Sequence, residues 1–311
     1  MSGIVYANYR LTSNHVDVMD VLEPIRISNR AKQELVDEAN LDYICIENEK
    51  NEIEIFIQLI QQYFDSTNTS RDEITYLMYA CPDNIWIGNV QIPYFLLEYF
   101  GMKNATAILL DQMCATTLEA INMGSALIDS KRADKVMILS ITHGDLLENR
   151  YIGKTVVGDG AAIMVLGQDN VIVDIKDVLS KSNGTYSLQA WKNNFEQTSP
   201  EQVVKAGAQL IKDILKKNNL TFDDVKMIIP QNINQHGFAL YADILGISAK
   251  QFFTDNIPFG GHLSDVDTIR NFTDLLIKDG NYNQGDKFIL YGLGTIGKDR
   301  VYCSVLLEKN E

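Results

Sequence analysis

A chain of 311 residues, 46% hydrophobic and 22% charged, has room for two domains of about 150 residues or one large core built from two halves. Its formal charge of −14 argues against nucleic acid and anionic membrane as principal partners. The opening MSGIVYANYRLTSNH has no apolar stretch behind a basic flank, and nowhere is there a run of about 18 apolar residues, so a cytoplasmic protein without leader or membrane span is expected.

Apolar runs of strand length recur in chain order: residues 73–80 (EITYLMYA), 106–111, 135–142 (KVMILSIT), 161–167, 170–179, 225–230, 287–294 and 301–308. Their Ile, Val and Leu content suits strands covered on both faces. Between them lie helical patterns. Residues 114–130 place Leu118, Ile121, Ser125 and Ile128 along one face. Residues 199–219 begin with Ser199 as N-cap, Pro200 in the first turn and Gln202 reaching back, and end in lysines. Residues 264–280 begin with acidic side chains and stop at Gly280. Strands alternating with helices predict a layered α/β fold.

The two halves share an order of elements, each closing on a glycine-marked segment expected to form a hairpin: VVGDGAAIMVLG in the first and YGLGTIGKDRVYCSVLLE in the second. A duplicated unit, 1–167 and 168–311, is the expected organisation. The turn from Gly158 to Ala161 reads as a structural hairpin signal.

Four cysteines, Cys45, Cys81, Cys114 and Cys303, form no CxxC pair, and His15, His143, His236 and His262 never fall at ligand spacing, so no metal site is expected. Cys114 stands apart from the other three. It follows an apolar run and opens a helix, where the dipole favours a thiolate. Cys45, Cys81 and Cys303 lack that setting and read as packing.

Five segments, taken together from about residue 73 onward, resemble ketoacyl synthase III and its relatives of the thiolase fold. DQMCATTLEAINMGSALIDSKRADKVMIL is similar to the family's nucleophile segment, and VVGDGAAIMVL to its GDGAG segment. MIIPQNINQHGFALYADILGI stands where the family has Pro-His-Gln-Ala-Asn. IPFGGHLSDVDTIRNFTDLL stands where it has a Gly-Asn-Thr turn, and ILYGLGTIG corresponds to its C-terminal glycine-rich loop. The first 70 residues carry no counterpart of the family's Trp- and Arg-bearing segment for coenzyme A.

The resemblance implies a layered α-β-α-β-α fold of two similar halves, the first carrying Cys114, the second Gln231, His262 and the Gly294 loop. It implies Cys114 as nucleophile, with Gln231 in place of the family's histidine and His262 in place of its asparagine. Glutamine donates hydrogen bonds but cannot shuttle protons, whereas histidine does both near neutrality. Decarboxylative condensation needs two donors at one thioester carbonyl; acyl transfer needs a nucleophile, one base and an oxyanion hole. The expectation is therefore an acyltransferase of specialised-metabolite biosynthesis, with no permanent cofactor. Its donor is a phosphopantetheine thioester on acyl carrier protein or CoA. Asp265 is the candidate orienter of His262, with Asp267 close behind. Asn234, Gly294 and Thr295 are candidate substrate-binding residues, and His236 marks a carrier-docking position. A homodimer is expected. The alternatives are a non-catalytic partner subunit of a heterodimeric ketosynthase and a decarboxylating condensing enzyme.

Overall fold

The computed structural model describes residues 1–80, 85–144, 146–192, 199–296 and 298–310. Among these, one large sheet contains β1 (Gly3–Arg10), β2 (Ile74–Ala80), β3 (Thr106–Leu110), β4 (Lys135–Thr142), β5 (Gly160–Gly167), β6 (Val173–Asn183), β7 (Val225–Ile229), β8 (Lys287–Ile296) and β9 (Asp299–Lys309). The order across it is β7-β8-β9-β6-β1-β5-β4-β2-β3. The principal helices are α1 (Glu52–Thr67), α2 (Ile92–Phe100), α3 (Thr116–Asp129), α4 (Pro200–Lys217), α5 (Gln235–Leu245) and α6 (Val266–Phe272), the last continuing as a π-helical turn over Thr273–Asp279.

The sheet is two copies of one pattern. In the first, β1, β5 and β4 run antiparallel in succession, and β4, β2 and β3 run parallel. In the second, β6, β9 and β8 are successively antiparallel, and β8 is parallel to β7. The counterpart of β3 has shrunk to a single parallel bridge, Ile228 to Phe252. The copies join where Gly3 and Ile4 of β1 face Asp174 and Val173 of β6. Gly167 ends β5 and Val173 begins β6.

Three apolar clusters fill the spaces between five layers. On β4, Met137 and Leu139 face α1 and α2, while Ile138 faces the central helices α3 and α6. That alternation explains why KVMILSIT reads as a continuous apolar run: both faces are covered. Leu118, Ile121 and Ile128 of α3 meet Val266, Ile269 and Phe272 of α6 in the central layer, all at most 1% exposed. Each such side chain stabilises the fold by about 2 kcal/mol. Beyond the second half of the sheet, Ile211 and Ile214 of α4 pack with Phe238 and Tyr241 of α5 and with Val18, Val21 and Leu22 from the N-terminal segment.

The helix signals at Ser199 are realised: its side chain accepts from the Gln202 N–H, and Gln202 returns the bond. Several elements escaped the sequence reading, among them α2, β1 and α1. Strand β1, which mixes Tyr6, Asn8 and Tyr9 with apolar residues, lies mid-sheet. Helix α1 opens on a capping box formed by Asn51 and Glu54. Among the described residues, no helix is long and apolar enough to cross a membrane.

One expectation needs correction. Gly158–Ala161 is not a hairpin turn. The stretch before β5 instead pairs in parallel with the segment bearing His262: the His262 N–H donates to Val156 O (2.8 Å), and the Gly158 N–H donates to His262 O (3.1 Å). Asp159 turns inward to Arg150, at 2.7 and 2.9 Å, and accepts from the Glu47 and Gly144 N–H groups. A β-carbon on Gly158 would stand 1.8 Å from Gly260 O, so only glycine permits this approach. In the second half β8 and β9 do form the expected hairpin, in register from Lys287 opposite Glu308 to Ile296 opposite Asp299.

Gly158→Ala is therefore expected to lower unfolding stability by about 2–3 kcal/mol, read as a shift of the urea midpoint, because Val157 and His262 must separate.

Candidate active site

The N-termini of the two central helices converge. Cys114 lies in a single 3-10 turn, Met113–Ala115, that leads into α3. Met113 has φ +49°, a left-handed conformation that costs a non-glycine residue about 1–2 kcal/mol. Local hydrogen bonds hold it there. Its N–H donates to Asp111 Oδ1 (3.0 Å), and Thr116 Oγ1 donates to Met113 O (2.5 Å) while accepting from Gln112 N (2.9 Å). Strand β8 closes on the same turn, since a β-carbon on Gly294 would come within 2.1 Å of Gln112 O. Gly294 thus lies beside the turn that bears Cys114; Thr295, next along, is exposed.

Opposite stands His262, 3% exposed, at the entrance to α6. Its Nδ1 meets Asp267 Oδ2 at 2.6 Å, and the Cys114 side chain is a neighbour close enough to add to the ring's basicity. Burial alone lowers the basicity of an imidazole. The carboxylate of Asp267 outweighs it, and the pKa of His262 rises to about 10. The ring is therefore an imidazolium at neutral pH, held between a carboxylate and a sulfur. The stability this pair contributes is fully present below the unfolded histidine value of about 6.5 and is lost as pH rises through about 10.

The hydrogen bond to the ring comes from Asp267 and not from Asp265. Two residues apart on a helix face nearly opposite ways. Ser264, at φ +51°, turns the chain so that Asp265 aims at α3, where it accepts from Thr117 N at 2.7 Å. Asp267, on the first turn of α6, faces back to His262. Asp267 is fully buried and accepts four hydrogen bonds: His262 Nδ1, Leu263 N (3.0 Å), Asn232 N (2.9 Å) and Asn232 Nδ2 (3.1 Å). A histidine followed five residues later by an aspartate was the available signal.

Gln231 is committed to the backbone. Its Nε2 donates to Cys114 O, and its Oε1 accepts from Leu293 N at 2.9 Å. It ties the Cys114 turn to β8. Asn234 is the N-cap of α5, accepting from Gly237 N at 2.6 Å and donating to Lys154 O at 3.3 Å. With Glu34, Glu38, Tyr151, Lys154 and His236 it lines a surface groove of about 170 Å³. His15 stacks on Tyr43 and His143 pairs with Glu52. Burial pushes the Cys45 thiol up to about 11 and the Cys303 thiol well above its ordinary value, as suits packing residues. Cys81 lies outside the described residues.

Burial raises the Asp265 carboxyl to about 7 despite its hydrogen bonds from Thr117 and Thr116. A raised carboxyl pKa means that the folded state binds the proton more tightly than the unfolded one, so Asp265 costs stability as pH climbs from about 4 to 7. Asp265→Asn keeps an acceptor for the Thr117 N–H and removes the charge. Urea titrations should find the variant more stable than wild type at pH 8, by roughly 4 kcal/mol at most, and no gap near pH 4.

Comparison with known proteins agrees with this architecture. No family model matches the chain. It is 25% identical over 218 residues to beta-ketoacyl-(acyl-carrier-protein) synthase III 2 of Bacillus cereus, a match spanning 63% of this chain and 66% of that protein, just under two thirds of its length. It is 25% identical over 276 residues to beta-ketoacyl-(acyl-carrier-protein) synthase III of Clostridium perfringens strain SM101, covering 81% and 83% of the two chains. Among solved structures, 3-oxoacyl-(acyl-carrier-protein) synthase III of Aquifex aeolicus superposes with a TM-score of 0.81 at 18% identity, covering 99% of this chain and all of that one. The acyltransferase ChlB3 superposes at 0.82 and 15% identity, covering 99% and 97%. The chain is thus similar in sequence to ketoacyl synthase III proteins and shares their thiolase fold.

Proposed function

We propose that the protein is an acyltransferase that takes an acyl group from a phosphopantetheine thioester onto Cys114 and passes it to an amine or hydroxyl acceptor. The observation that carries this reading is the pairing of His262 with a fully buried, fully hydrogen-bonded Asp267, with Cys114 among the neighbours that raise the ring's basicity. Together the three have the roles of a nucleophile, a base and an orienting acid. The nucleophile sits in half 1–167 and the base in half 168–311.

In the first step the Cys114 thiolate attacks the thioester carbonyl. The tetrahedral intermediate collapses to acyl-Cys114, and the pantetheine thiol leaves with the proton from the His262 imidazolium. In the second, the now neutral imidazole takes the proton of the acceptor as its nitrogen or oxygen attacks the acyl carbon, and the Cys114 thiolate is released. Backbone N–H groups of Cys114 and of the Gly294 segment are assigned to the oxyanion. A basicity raised by Asp267 suits deprotonation of an alcohol or amine. Gln231, with its oxygen taken by Leu293 and its amide on Cys114 O, favours transfer over condensation. The lone imidazole does not make the pair of donors that a decarboxylated carbon nucleophile requires. The donor is assigned to an acyl carrier protein or CoA, and the departure from the synthase pattern favours a specialised biosynthetic pathway.

We also assign a homodimer. Strand β3 is an edge strand exposing Leu109, and pairing of two such edges covers it.

Intact-mass spectrometry after incubation with an acyl-pantetheine thioester should show one acyl adduct on the wild type and none on Cys114→Ala. Transfer to an amine should fall by about 100-fold or more in His262→Ala and in Asp267→Asn. Carbon dioxide release from a malonyl thioester at a comparable rate would replace transfer with condensation. Sedimentation velocity should return twice the mass of one chain.

A further inference from the structure

Behind the triad lies a run of amides that neither the fold nor the resemblance accounts for. Two of the four hydrogen bonds to Asp267 come from Asn232, one from its backbone and one from its side chain. The side-chain bond exists only if the Asn232 amide presents nitrogen, not oxygen, to the carboxylate. Asn271, fully buried on α6, fixes that choice. Its Nδ2 donates to Pro230 O at 2.7 Å, and a proline carbonyl only accepts, so the Asn271 nitrogen must face it. The same nitrogen donates to Asn232 Oδ1 at 2.8 Å, and Asn232 Nδ2 returns a bond to Asn271 Oδ1 at 3.2 Å. With its oxygen held there, Asn232 has only N–H left for Asp267.

The run continues outward. Asn256 Nδ2 donates to Asn271 Oδ1 at 2.9 Å and to Asp274 Oδ2 at 2.8 Å. Asp274, at the head of the π-helical turn, is held near the surface by Tyr9 Oη and Lys278 Nζ. Both hydrogens of all three amides are used, and each of the three asparagines directs one N–H inward, Asn256 to Asn271, Asn271 to Asn232 and Asn232 to Asp267. Amides do not relay protons, so this is an orienting and electrostatic chain and not a proton path.

We propose that Asn271 is a positioning residue of the catalytic triad: by setting the polarity of Asn232 it keeps the Asp267 carboxyl aligned against His262. The proposal rests on the reading of Cys114, His262 and Asp267 as a reactive unit. A residue that merely fills the core between Pro230 and α6 lowers stability on substitution and leaves Cys114 chemistry unchanged. A positioning residue changes the pH dependence of that chemistry.

The test needs no acyl donor. Iodoacetamide alkylation of Cys114 in the full-length protein is followed by peptide mass spectrometry from pH 5 to 10 in wild type, Asn271→Leu and His262→Ala. Thermal midpoints are recorded alongside. Leucine matches asparagine in shape and removes every hydrogen bond. Slowing of about tenfold at pH 7 in Asn271→Leu, with the profile moved to higher pH as in His262→Ala, supports the proposal. If His262→Ala slows alkylation but Asn271→Leu keeps the wild-type profile, whatever its melting temperature, Asn271 is only a packing residue and the proposal falls. If neither substitution matters, the reactive unit itself is wrong and the proposal falls with it. Should Asn271→Leu not fold, Asn256→Ala carries the test one amide further out: a smaller slowing in the same direction supports the idea, and an unchanged profile overturns it.

Discussion

The site depends on one buried negative charge. An imidazole as enclosed as His262 would ordinarily give up its proton, since burial disfavours the charged form. Asp267 reverses that, and it does so from complete burial. A carboxylate there is tolerable only when its lone pairs are filled, and four donors fill them. Those donors come from three places in the chain: the α6 entrance, the residue after Gln231, and His262 itself. Removing the charge would therefore loosen the ring, strand several donors, and unlink the end of β7 from α6. The chemistry and the packing of this region are the same set of bonds.

The doubled architecture explains why those parts meet. Each half delivers a central helix whose N-terminus points to the middle of the molecule, with Cys114 at one and His262 at the other. Asp265 crosses from the second to hold the Thr117 N–H of the first, so the helix ends are stapled together beside the reacting groups. The symmetry is incomplete in informative ways. The second half has only the bridge at Phe252 where the first has β3, and the first reaches β5 through a long stretch where the second has a tight hairpin. That stretch is not idle. It lays Val156 to Gly158 against His262 and buries the Arg150–Asp159 pair beneath it.

Much of this was legible in the sequence, and what was not follows a rule. Strands such as 135–142 announced themselves because a sheet covered on both faces demands unbroken Ile, Val and Leu. Helix α4 did so through Ser199 and Gln202. Cys114 and His262 stood out by residue type and setting, and the fold places them at the entrances of the two central helices. Strand β1 was not, because its polar residues make specific bonds, as Tyr9 does to Asp274, which periodicity does not register. The choice between Asp265 and Asp267 turned on the positive φ of Ser264, a backbone fact that composition does not encode. The hairpin read into Gly158 failed for a related reason: the glycine serves a close approach to Gly260, distant in sequence, and not a local turn.

Gln231 shows why a substitution in a site is best judged by its bonds. By position it would be a weakened partner for a substrate carbonyl. In the fold both ends of its side chain are engaged by the backbone on either side of the cleft, at Cys114 and at Leu293. An imidazole at that position would not replace it, since one ring cannot donate to a carbonyl and accept from an amide with the same reach and angle. A glutamine can, and in doing so it steadies the left-handed turn at Met113 on which the placement of the sulfur depends. On the proposed reading, the protein has given up a second proton-active group near the cysteine. It has gained a stiffer nucleophile turn, with a single acid–base residue whose strength is set from behind by Asp267.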